Sequence, residues 1–455
     1  MALKSINPAN GQEIASYEEM NMDEVGSIVS GVNSAYQDWK QTSFAHRATL
    51  LINVAEILKD RKEALGRLMT LEMGKPYIQA VAEAEKCASV CDYYADNAER
   101  ILANQFIETD ASKSYVAYRP IGIVFAVMPW NFPFWQVLRF AAPALMAGNV
   151  GILKHASNVQ GCALEIEKIF YDAGFPKNVF RTLVIGSKNV KDVIVNPLVK
   201  AVTLTGSTPA GKAVASQAGN FLKKTVLELG GSDPYIILED ADLDRAITAC
   251  MIGRFLNTGQ SCIAAKRFIV VDSVLDEFRT KLLEAMKTQK WGDPFKEDVN
   301  IGPMVNIWSR NEVHEQVTAS IEKGAILLVG GAVPDVEGVF YSATLLDNVK
   351  PGMPAFDDEI FGPVASIIPV NDEAEAIKLA NQTPFGLGGA VFTRDVEKGE
   401  RIAANEIEAG CCFVNDFVRS DPRLPFGGIK ESGYGRELSE AGIREFTNMK
   451  TVYIR

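Results

Sequence analysis

Apolar residues recur at helical spacing through the first hundred residues of this chain. The spacing predicts three helices, at about 22–40, 46–73 and 77–104, of which the last two are rich in Ala, Leu and Glu. The pattern then changes to short, continuous apolar runs that are separated by amphipathic segments. Runs of this kind are typical of strands that are buried on both faces of a parallel sheet.

The alternating region predicts βαβ units and a mostly parallel sheet. Its strands are expected at 123–127, 150–153, 201–204 and 225–227, and its helices at 133–147, 159–173 and 208–220. A second α/β unit is expected after the glycine pair at 230–231. Its helices are expected at 242–255, 274–287, 308–323 and 372–381, and its strands at 267–271, 326–329, 364–369 and 388–393. A glycine-rich loop, a short helix and a strand complete this α/β prediction.

Composition and charge act mainly by excluding classes of protein. The chain has 455 residues, which is too long for a single core and predicts two or three domains. Its net charge of −11 is spread along the sequence and offers no basic surface for nucleic acid or an anionic membrane. The N-terminus lacks the apolar core of a secretory signal, and no run approaches the ~20 apolar residues of a membrane span. We therefore expect a cytoplasmic protein.

The seven cysteines are odd in number and scattered, which predicts free thiols in a reducing compartment. Cys87 and Cys91 are one helical turn apart, but the chain has only three histidines and none lies beside them. We therefore expect no metal site.

One thiol is distinguished by the loop that precedes it. Segment 255–262 reads FLNTGQSC, so small residues and two amide side chains lead to Cys262. A thiolate is a strong nucleophile, but a free Cys titrates at about 8.5 and needs help from its surroundings. Taken alone, the segment fits a buried structural Cys equally well.

A carboxylate ends one of the predicted buried strands. Segment 227–234 reads LELGGSDP, in which Glu228 stands among apolar residues before a glycine turn. Burial disfavours ionisation and shifts such a Glu toward the range of a general base near neutral pH. The alternative is a strand-end Glu that pairs with a nearby Lys.

Two further turns also follow predicted strands. Segment 128–135 reads MPWNFPFW; its prolines would hold the Asn131 amide where it could stabilise an oxyanion, with Pro133 at the first position of the next helix. Segment 205–211 reads TGSTPAG and opens a helix whose N-terminus could face a pyrophosphate. Taken alone, segment 128–135 fits a turn with an aromatic lid equally well. Segment 205–211 departs from the usual G-x-G-x-x-G pattern and is weak evidence by itself.

Together these four segments resemble the aldehyde dehydrogenase superfamily. The resemblance runs from NPANG at 7–11 through EIFGP at 359–363 to PFGGIKESG at 425–433, in the order of the family. It implies an α/β fold with two Rossmann-like domains and a small β oligomerisation element. It also implies oxidation of an aldehyde to a carboxylic acid with a nicotinamide cofactor.

The resemblance assigns the catalytic roles. Cys262 would be the nucleophile, and the Asn131 amide and the Cys262 backbone N–H would hold the oxyanion. Glu228 would activate the water that hydrolyses the thioester.

The resemblance also implies a cofactor site. Its residues would be Trp130, Lys154, Ser157, Gly206, Ser207, Gly211, Leu229, Glu359 and Phe361. Among them, Glu359 and Phe361 would position the nicotinamide ribose and ring, Ser207 the pyrophosphate and Lys154 the adenosine ribose.

One departure from the family bears on the choice of cofactor. The family usually has Lys-Pro-x-Glu at the adenosine end, where this chain reads KHAS at 154–157. A carboxylate there would bond the ribose 2′-OH of NAD and repel the 2′-phosphate of NADP. Because Ser157 removes that repulsion and Lys154 adds positive charge, we expect NADP to be preferred and NAD to remain usable. The alternative is that His155 crowds the phosphate.

Arg139 indicates the class of substrate. It follows Trp135 by four residues on the predicted helix, on the face that begins beside Asn131. A guanidinium in a partly desolvated tunnel can bind both oxygens of a carboxylate. An Arg at this position resembles succinate-semialdehyde dehydrogenases, and Arg419 and Ser420 would form the other side of the carboxylate site. The alternative is that Arg139 is an interface or structural ion-pair residue.

Several other functions stay open at this stage. A broad-specificity aldehyde dehydrogenase would share the same motifs. A CoA-acylating dehydrogenase typically lacks the water-activating carboxylate, so Glu228 counts against it. A non-catalytic relative would have lost the thiol or the base, and a cysteine hydrolase would need a His near the thiol, which none of the motifs contains.

The resemblance divides the chain into three parts. Residues 1–100 and 121–229 would form a dinucleotide-binding domain, 230–436 a catalytic domain, and 101–120 with 437–455 the oligomerisation element. Within that element, the extended segment 112–119 would be an exposed sheet edge in a monomer, a liability that pairing between subunits removes. We therefore expect a homodimer or a homotetramer.

Overall fold

Helices and strands alternate along most of the chain in the computed structural model, which describes residues 2–455. The helices are α1 (Met22–Trp39), α2 (Phe44–Asp60), α3 (Lys62–Met73), α4 (Tyr77–Ile101), α5 (Trp135–Met146), α6 (Gln160–Asp172), α7 (Val190–Val195), α8 (Thr208–Asn220), α9 (Leu243–Phe255), α10 (Asp272–Lys287), α11 (Ile307–Glu322), α12 (Pro354–Asp357), α13 (Glu373–Asn381), α14 (Val396–Asn405) and α15 (Ser439–Glu445). The strands are β1 (Ala2–Ile6), β2 (Glu13–Glu18), β3 (Gln105–Phe106), β4 (Lys113–Pro120), β5 (Ile123–Val127), β6 (Val150–Lys154), β7 (Phe180–Thr182), β8 (Val199–Thr205), β9 (Lys224–Glu228), β10 (Asp233–Ile237), β11 (Ala265–Val271), β12 (Ile326–Val329), β13 (Thr344–Asp347), β14 (Val364–Val370), β15 (Gly388–Phe392), β16 (Cys411–Val414), β17 (Gly433–Tyr434) and β18 (Thr447–Ile454).

The first large sheet has the strand order β17-β9-β8-β5-β6-β7 and is parallel except for β17. Its apolar runs are buried as predicted; the side chains of Ile123, Val124, Phe125 and Ala126 are fully enclosed. Strands β5, β8 and β9 are parallel neighbours, so their carboxyl ends lie at the same edge of the sheet. The segments that contain Asn131, Gly206 and Glu228 are therefore brought together at this edge, where open α/β sheets bind ligands.

The second large sheet has the order β12-β13-β14-β11-β10-β15-β16 and is parallel except for β12. Successive residues of β10 point to opposite faces: Ile236 joins one buried cluster, and Tyr235 and Ile237 join another. Strand β10 begins just after the glycine pair that follows β9, and β11 begins just after Cys262. The thiol thus lies where the second sheet meets the ligand-binding edge of the first.

The third sheet corrects one prediction. Segment 112–119 is not an exposed edge, because β4 is the central strand of the order β18-β4-β3. Strand β18 pairs with β4 along its whole length, from Thr447 opposite Pro120 to Ile454 opposite Lys113. The edges of this sheet are β18 and the short β3. The predicted element already joined 101–120 with 437–455, but the local pattern of 112–119 did not show that β18 pairs with it.

Two predicted helix boundaries are also wrong. The helix expected at 46–73 is two helices, α2 and α3, because Arg61 leaves helical geometry (φ −101°, ψ 10°) and its guanidinium reaches Asp172 of α6 at 2.7 Å. Helix α5 begins at Trp135 rather than at Pro133, and the Glu83 carboxylate of α4 accepts hydrogen bonds from the N–H groups of Phe134 and Trp135, both at 2.9 Å. Both boundaries depend on contacts between helices rather than on a local Gly or Pro.

All seven thiols are free. Within residues 2–455, no helix combines the length and the apolar character that crossing a membrane requires.

Candidate active site

The loop between α9 and β11 carries Cys262 and has an unusual backbone. Asn257, Thr258 and Gly259 have φ values of 55°, 59° and 73° in succession. Residues other than Gly avoid this left-handed backbone conformation. Each one that adopts it raises the free energy of the folded state by about 1–3 kcal/mol. A Cβ on Gly259 would lie 2.3 Å from the Gly362 carbonyl oxygen, so Gly is required there. Strain of this kind persists only where the surroundings hold it, and it is concentrated at functional sites.

Side-chain hydrogen bonds hold this loop from several directions. Asn257 Nδ2 donates to the Asn131 carbonyl at 2.7 Å, and Thr258 Oγ1 accepts from the Gly302 N–H at 2.9 Å. The Lys266 ammonium donates to the carbonyls of Ser261 and Cys262 at 2.9 and 2.8 Å. These contacts fix the backbone on both sides of the thiol.

The Cys262 side chain is partly exposed and lines two cavities at once. Burial raises the pKa of the thiol to about 12, although the positive charges of Arg139 and Lys266 act in the opposite direction. The sulfur is therefore protonated at neutral pH in this arrangement, and its attack on an electrophile requires a base to take the proton.

Two N–H donors are available beside the sulfur. Asn131 is buried, and its Nδ2 donates one hydrogen to the Gln260 carbonyl at 3.2 Å, which leaves the second hydrogen free to point elsewhere. The backbone N–H of Cys262 has no acceptor among residues 2–455. Both Asn131 and Cys262 line the same cavity. This pair has the chemistry of an oxyanion-binding site.

Glu228 ends β9, and its side chain is only 2% exposed. Neither carboxylate oxygen has a hydrogen-bond partner in the described part of the chain. Burial raises its pKa well above the ordinary value, and the charge of Glu437 adds to the effect, while Arg139 and Arg436 oppose it. A carboxylate of raised pKa with free lone pairs is suited to act as a general base. Glu228 is not among the residues that line either cavity.

The first cavity, of about 270 Å³, extends from the sulfur to the N-terminus of α8. Of the predicted cofactor residues, it is lined by Trp130, Gly206, Ser207, Leu229, Glu359 and Phe361. The Ser207 hydroxyl does not cap the helix that it precedes, so its donor and the first helical N–H groups remain available. A Cβ on Gly206 would meet only Leu204 Cδ2, at 3.6 Å. The arrangement fits an anionic group such as a pyrophosphate at the helix N-terminus.

Glu359 and Phe361 both line this cavity. Glu359 Oε1 accepts from the Gly231 N–H at 3.0 Å and pairs with Lys266 at 3.3 Å. The Phe361 ring meets the Trp130 ring edge-on, with centroids 5.8 Å apart. Gly211 does not line the cavity; it lies inside α8, where a Cβ would come within 2.5 Å of Leu229.

The residues predicted for the adenosine end stand at the carboxyl end of β6, outside this cavity. Lys154 is buried, which lowers its pKa, and Ser157 is exposed. The His155 ring is fully enclosed; its Nε2 lies 2.8 Å from the Pro133 carbonyl, and its Nδ1 accepts from the Ala156 N–H at 2.9 Å. Since His155 faces the interior, it does not crowd a phosphate beside Ser157.

The second cavity, of about 160 Å³, lies on the other side of the sulfur. It is lined by all four predicted substrate residues, Trp135, Arg139, Arg419 and Ser420, together with Lys86. The Arg139 guanidinium forms a buried ion pair with Glu437 and lies 4.7 Å from the centre of the Phe426 ring. Arg419 is more exposed and pairs with Asp416 at 2.7 Å.

Comparison with known proteins identifies the family. The sequence model of the aldehyde dehydrogenase family matches residues 1–452. The chain belongs to this family. The match confirms the resemblance that the four segments indicated, and the solved structures below confirm the α/β fold.

Named relatives of this aldehyde dehydrogenase align over the full length of both chains. The chain is 50% identical over 454 residues to the probable succinate-semialdehyde dehydrogenase (NADP+) of Synechocystis, with 100% of each covered. It is 47% identical over 457 residues to succinate-semialdehyde dehydrogenase (NADP+) 1 of Mycobacterium tuberculosis, again with 100% of each covered. The crystal structure of succinic semialdehyde dehydrogenase from Streptococcus pyogenes in complex with NADP+ is 38% identical, covers 100% of each chain and has a TM-score of 0.97.

Sequence reasoning missed several residues of this aldehyde dehydrogenase site. Lys266 holds the nucleophile loop, Glu437 pairs with Arg139 and shifts the pKa of Glu228, and Lys86 lines the second cavity. The signal for Lys266 was local, because a Lys four residues after a reactive Cys can reach back along the chain. No local sequence pattern indicates that Glu437 contacts Arg139 or that Lys86 contacts Ser420.

Proposed function

We propose that this chain oxidises succinate semialdehyde to succinate and that it prefers NADP+ while accepting NAD+. The observation that carries the proposal is the position of Cys262, whose side chain lines both the cavity at the α8 N-terminus and the cavity that contains Arg139. A thiol placed in this way can reach an aldehyde from one side and a dinucleotide from the other. The full-length relatives named for succinate semialdehyde and NADP+ support the choice of substrate and cofactor.

The first half of the reaction forms a bond to sulfur. Solvent water takes the proton of Cys262 as the base for this step, and the sulfur bonds to the aldehyde carbon. Asn131 Nδ2 and the Cys262 backbone N–H hold the resulting oxyanion. The oxidised nicotinamide supplies the hydride acceptor for this chemistry. Departure of the hydride from the carbon restores the carbonyl and leaves a thioester on Cys262.

The second half releases the product. Glu228 removes a proton from water, and the hydroxide adds to the thioester carbon. The carbon–sulfur bond then breaks, so that succinate leaves and the sulfur of Cys262 is regenerated. The raised pKa and the free oxygens of Glu228 support this role.

We propose that the predicted cofactor residues hold the dinucleotide along the first cavity and beyond it. Glu359 and Phe361 would hold the nicotinamide ribose and ring, and Ser207 the pyrophosphate. Trp130, Gly206 and Leu229 line the same cavity, and Gly211 supports it by allowing α8 to approach Leu229.

For the adenosine end, we propose that Lys154 and Ser157 accommodate the 2′-phosphate of NADP+. Ser157 is exposed at the end of β6 and brings no negative charge, and His155 is turned away from it. The absence of a carboxylate favours a phosphate at this position, and the orientation of His155 leaves room for it.

Ser157→Glu is expected to raise KM for NADP+ by about tenfold or more while changing KM for NAD+ much less. Two like charges a few ångströms apart near a protein surface repel by about 1–4 kcal/mol, and about 1.4 kcal/mol corresponds to a factor of ten. Steady-state kinetics with both cofactors measures the effect, and Ser157→Ala serves as the uncharged control. An unchanged KM for NADP+ in the Glu variant would contradict the placement of the phosphate.

The substrate residues also remain our proposal. We propose that Trp135, Arg139, Arg419 and Ser420 surround the aldehyde and its carboxylate, because all four line the cavity on the substrate side of Cys262. Arg139 and Arg419 each have a carboxylate partner already, so their charges are partly compensated.

A kinetic matrix tests the proposed function. Succinate semialdehyde and the uncharged four-carbon aldehyde butanal are each combined with NADP+ or NAD+, with and without coenzyme A, while reduced cofactor and products are followed. We expect the highest kcat/KM for succinate semialdehyde with NADP+, free succinate as product, and no effect of coenzyme A. Equal kcat/KM for the two aldehydes would favour a broad-specificity enzyme, a CoA thioester product would favour an acylating one, and a higher kcat/KM with NAD+ would remove the cofactor assignment.

We propose the three-part organisation as well, since each large sheet and the three-stranded sheet arises mainly from one predicted part. One exception is β17, which comes from the predicted catalytic part and completes the first sheet. We further propose a cytoplasmic homodimer or homotetramer, in which β18 pairs or packs against a second copy. The exposed Met449, Tyr453 and Phe106 side chains on the third sheet support this use of the surface.

A further inference from the structure

The second cavity contains a cation that the predicted substrate site did not include. Lys86 projects from α4 into the wall that also contains Cys262. Its Nζ donates to Ser420 Oγ at 2.8 Å and lies 4.3 Å from the centre of the Trp135 ring. Two of the four predicted substrate residues therefore touch this ammonium group directly.

Lys86 has no carboxylate counter-ion among residues 2–455. Two acidic side chains act on it electrostatically without forming an ion pair with it. Glu83 is already bound to Lys75 and to the N-terminus of α5. Asp421 is bound to Arg423 at 2.6 Å, which lowers the pKa of Asp421 to about 2.

The other two cations of the cavity differ from Lys86 in this respect. Arg139 is paired with Glu437 inside the protein, and Arg419 is paired with Asp416 nearer to solvent. Lys86 is partly buried. A partly buried ammonium without a counter-ion is unfavourable, and an anion that binds beside it relieves that cost. Lys86 is thus the cation of this cavity whose charge is left for a ligand.

We propose that Lys86 binds the terminal carboxylate of the substrate, with the Ser420 hydroxyl as a second donor. The inference rests on the proposed function, because it names the residue that selects a carboxylate-bearing aldehyde. Ser420 Oγ accepts a hydrogen bond from Lys86, so its own proton is free to donate to a carboxylate oxygen. The Trp135 ring restricts the ammonium from one side.

The ammonium state of Lys86 gives this site a pH dependence. Burial, together with the nearby charge of Arg139, lowers the pKa of Lys86 to about 8. The groups around it are Glu83 and Cys87 on its own helix, Trp135 and Arg139 on α5, and Asp421 in the loop that carries Ser420. Burial raises the pKa of Cys87 well above its ordinary value, so Cys87 stays neutral. Lys86 is therefore charged below about pH 8 and loses its proton above it, and KM for the carboxylate substrate should rise with pH in that range.

The test compares Lys86→Met with the parent enzyme on succinate semialdehyde and on butanal, both with saturating NADP+. We expect the Met variant to raise KM for succinate semialdehyde by at least about tenfold, as expected for the loss of a desolvated charge pair, and to change KM for butanal far less. The rise of KM above pH 8 should disappear in this variant. Lys86→Arg keeps the positive charge and should retain most of the preference for the carboxylate substrate.

Lys62→Met is the matched control, because Lys62 of α3 lies outside the cavity and pairs at 2.6 Å with Glu85 of α4, the helix that also carries Lys86. Melting temperatures and turnover of butanal establish that each variant is folded. An equal loss on both aldehydes, or an unchanged KM for succinate semialdehyde, would overturn the role of Lys86. If the parent enzyme itself shows no preference for succinate semialdehyde over butanal, the proposed function fails and this inference fails with it.

Discussion

Cys262→Ala is expected to lower kcat for aldehyde oxidation by at least about 10⁴-fold, the scale seen when a covalent nucleophile is removed. No other cysteine within residues 2–455 lines either cavity, so no second thiol can replace it. The measurement is the rate of cofactor reduction at saturating succinate semialdehyde and NADP+. A melting curve shows whether the variant is folded.

Cys412→Ala is the matched control for this experiment. Cys412 is also a partly exposed free thiol, but it packs against the buried cluster of the second sheet, away from both cavities. Its replacement should leave kcat within about twofold of the parent value, as is usual for a change remote from the chemistry. If Cys262→Ala kept a substantial part of the parent rate, a covalent mechanism through this thiol would be excluded.

Glu228→Gln is expected to lower steady-state turnover by about 10²–10⁴-fold, the contribution of a positioned general base. Because the amide cannot take a proton from water, the thioester should persist on Cys262. Rapid mixing should then show a first turnover of reduced cofactor followed by a very slow steady state. Mass spectrometry of the quenched protein should detect the acyl group on Cys262.

The pH dependence of the parent enzyme provides a second measure of Glu228. Burial raises its pKa, so the basic form is lost at a higher pH than for an ordinary Glu, and turnover should fall as the pH is lowered through that raised pKa. The Gln variant should lose this dependence. Glu440→Gln, which changes an exposed carboxylate paired with Arg100, should retain both the rate and the pH profile. A Gln variant that turns over normally, without accumulating acyl-enzyme, would remove Glu228 from the mechanism.

The motifs were predictable because each is a local feature of the sequence, and three of the four lie at the end of a strand. The strand ends before Asn131, Gly206 and Glu228 were recognised from short apolar runs, and the parallel order of β5, β8 and β9 brings those three ends to one edge. The thiol segment was recognised from its small residues and amides. Its left-handed backbone at Asn257 and Thr258 was not predicted, because neighbouring elements hold that conformation rather than the residues themselves.

The errors have a common cause in contacts between distant parts of the chain. The break at Arg61 follows a contact with α6, and the start of α5 is capped by Glu83 of α4. Segment 112–119 is covered by β18, whose residues are more than three hundred positions away. Periodicity reports how one segment is buried and does not identify the segment that buries it.

The sequence by itself determined the family and the α/β class, and it indicated the residues that we propose for the chemistry, because strand ends and the side chains that follow them are encoded locally. Only the tertiary structure decided how the charges are shared. It paired Arg139 with Glu437, turned His155 into the interior and left Lys86 without a carboxylate counter-ion in the second cavity. Electrostatic pairing depends on distances between side chains from separate elements, and those distances exist only once the chain has folded.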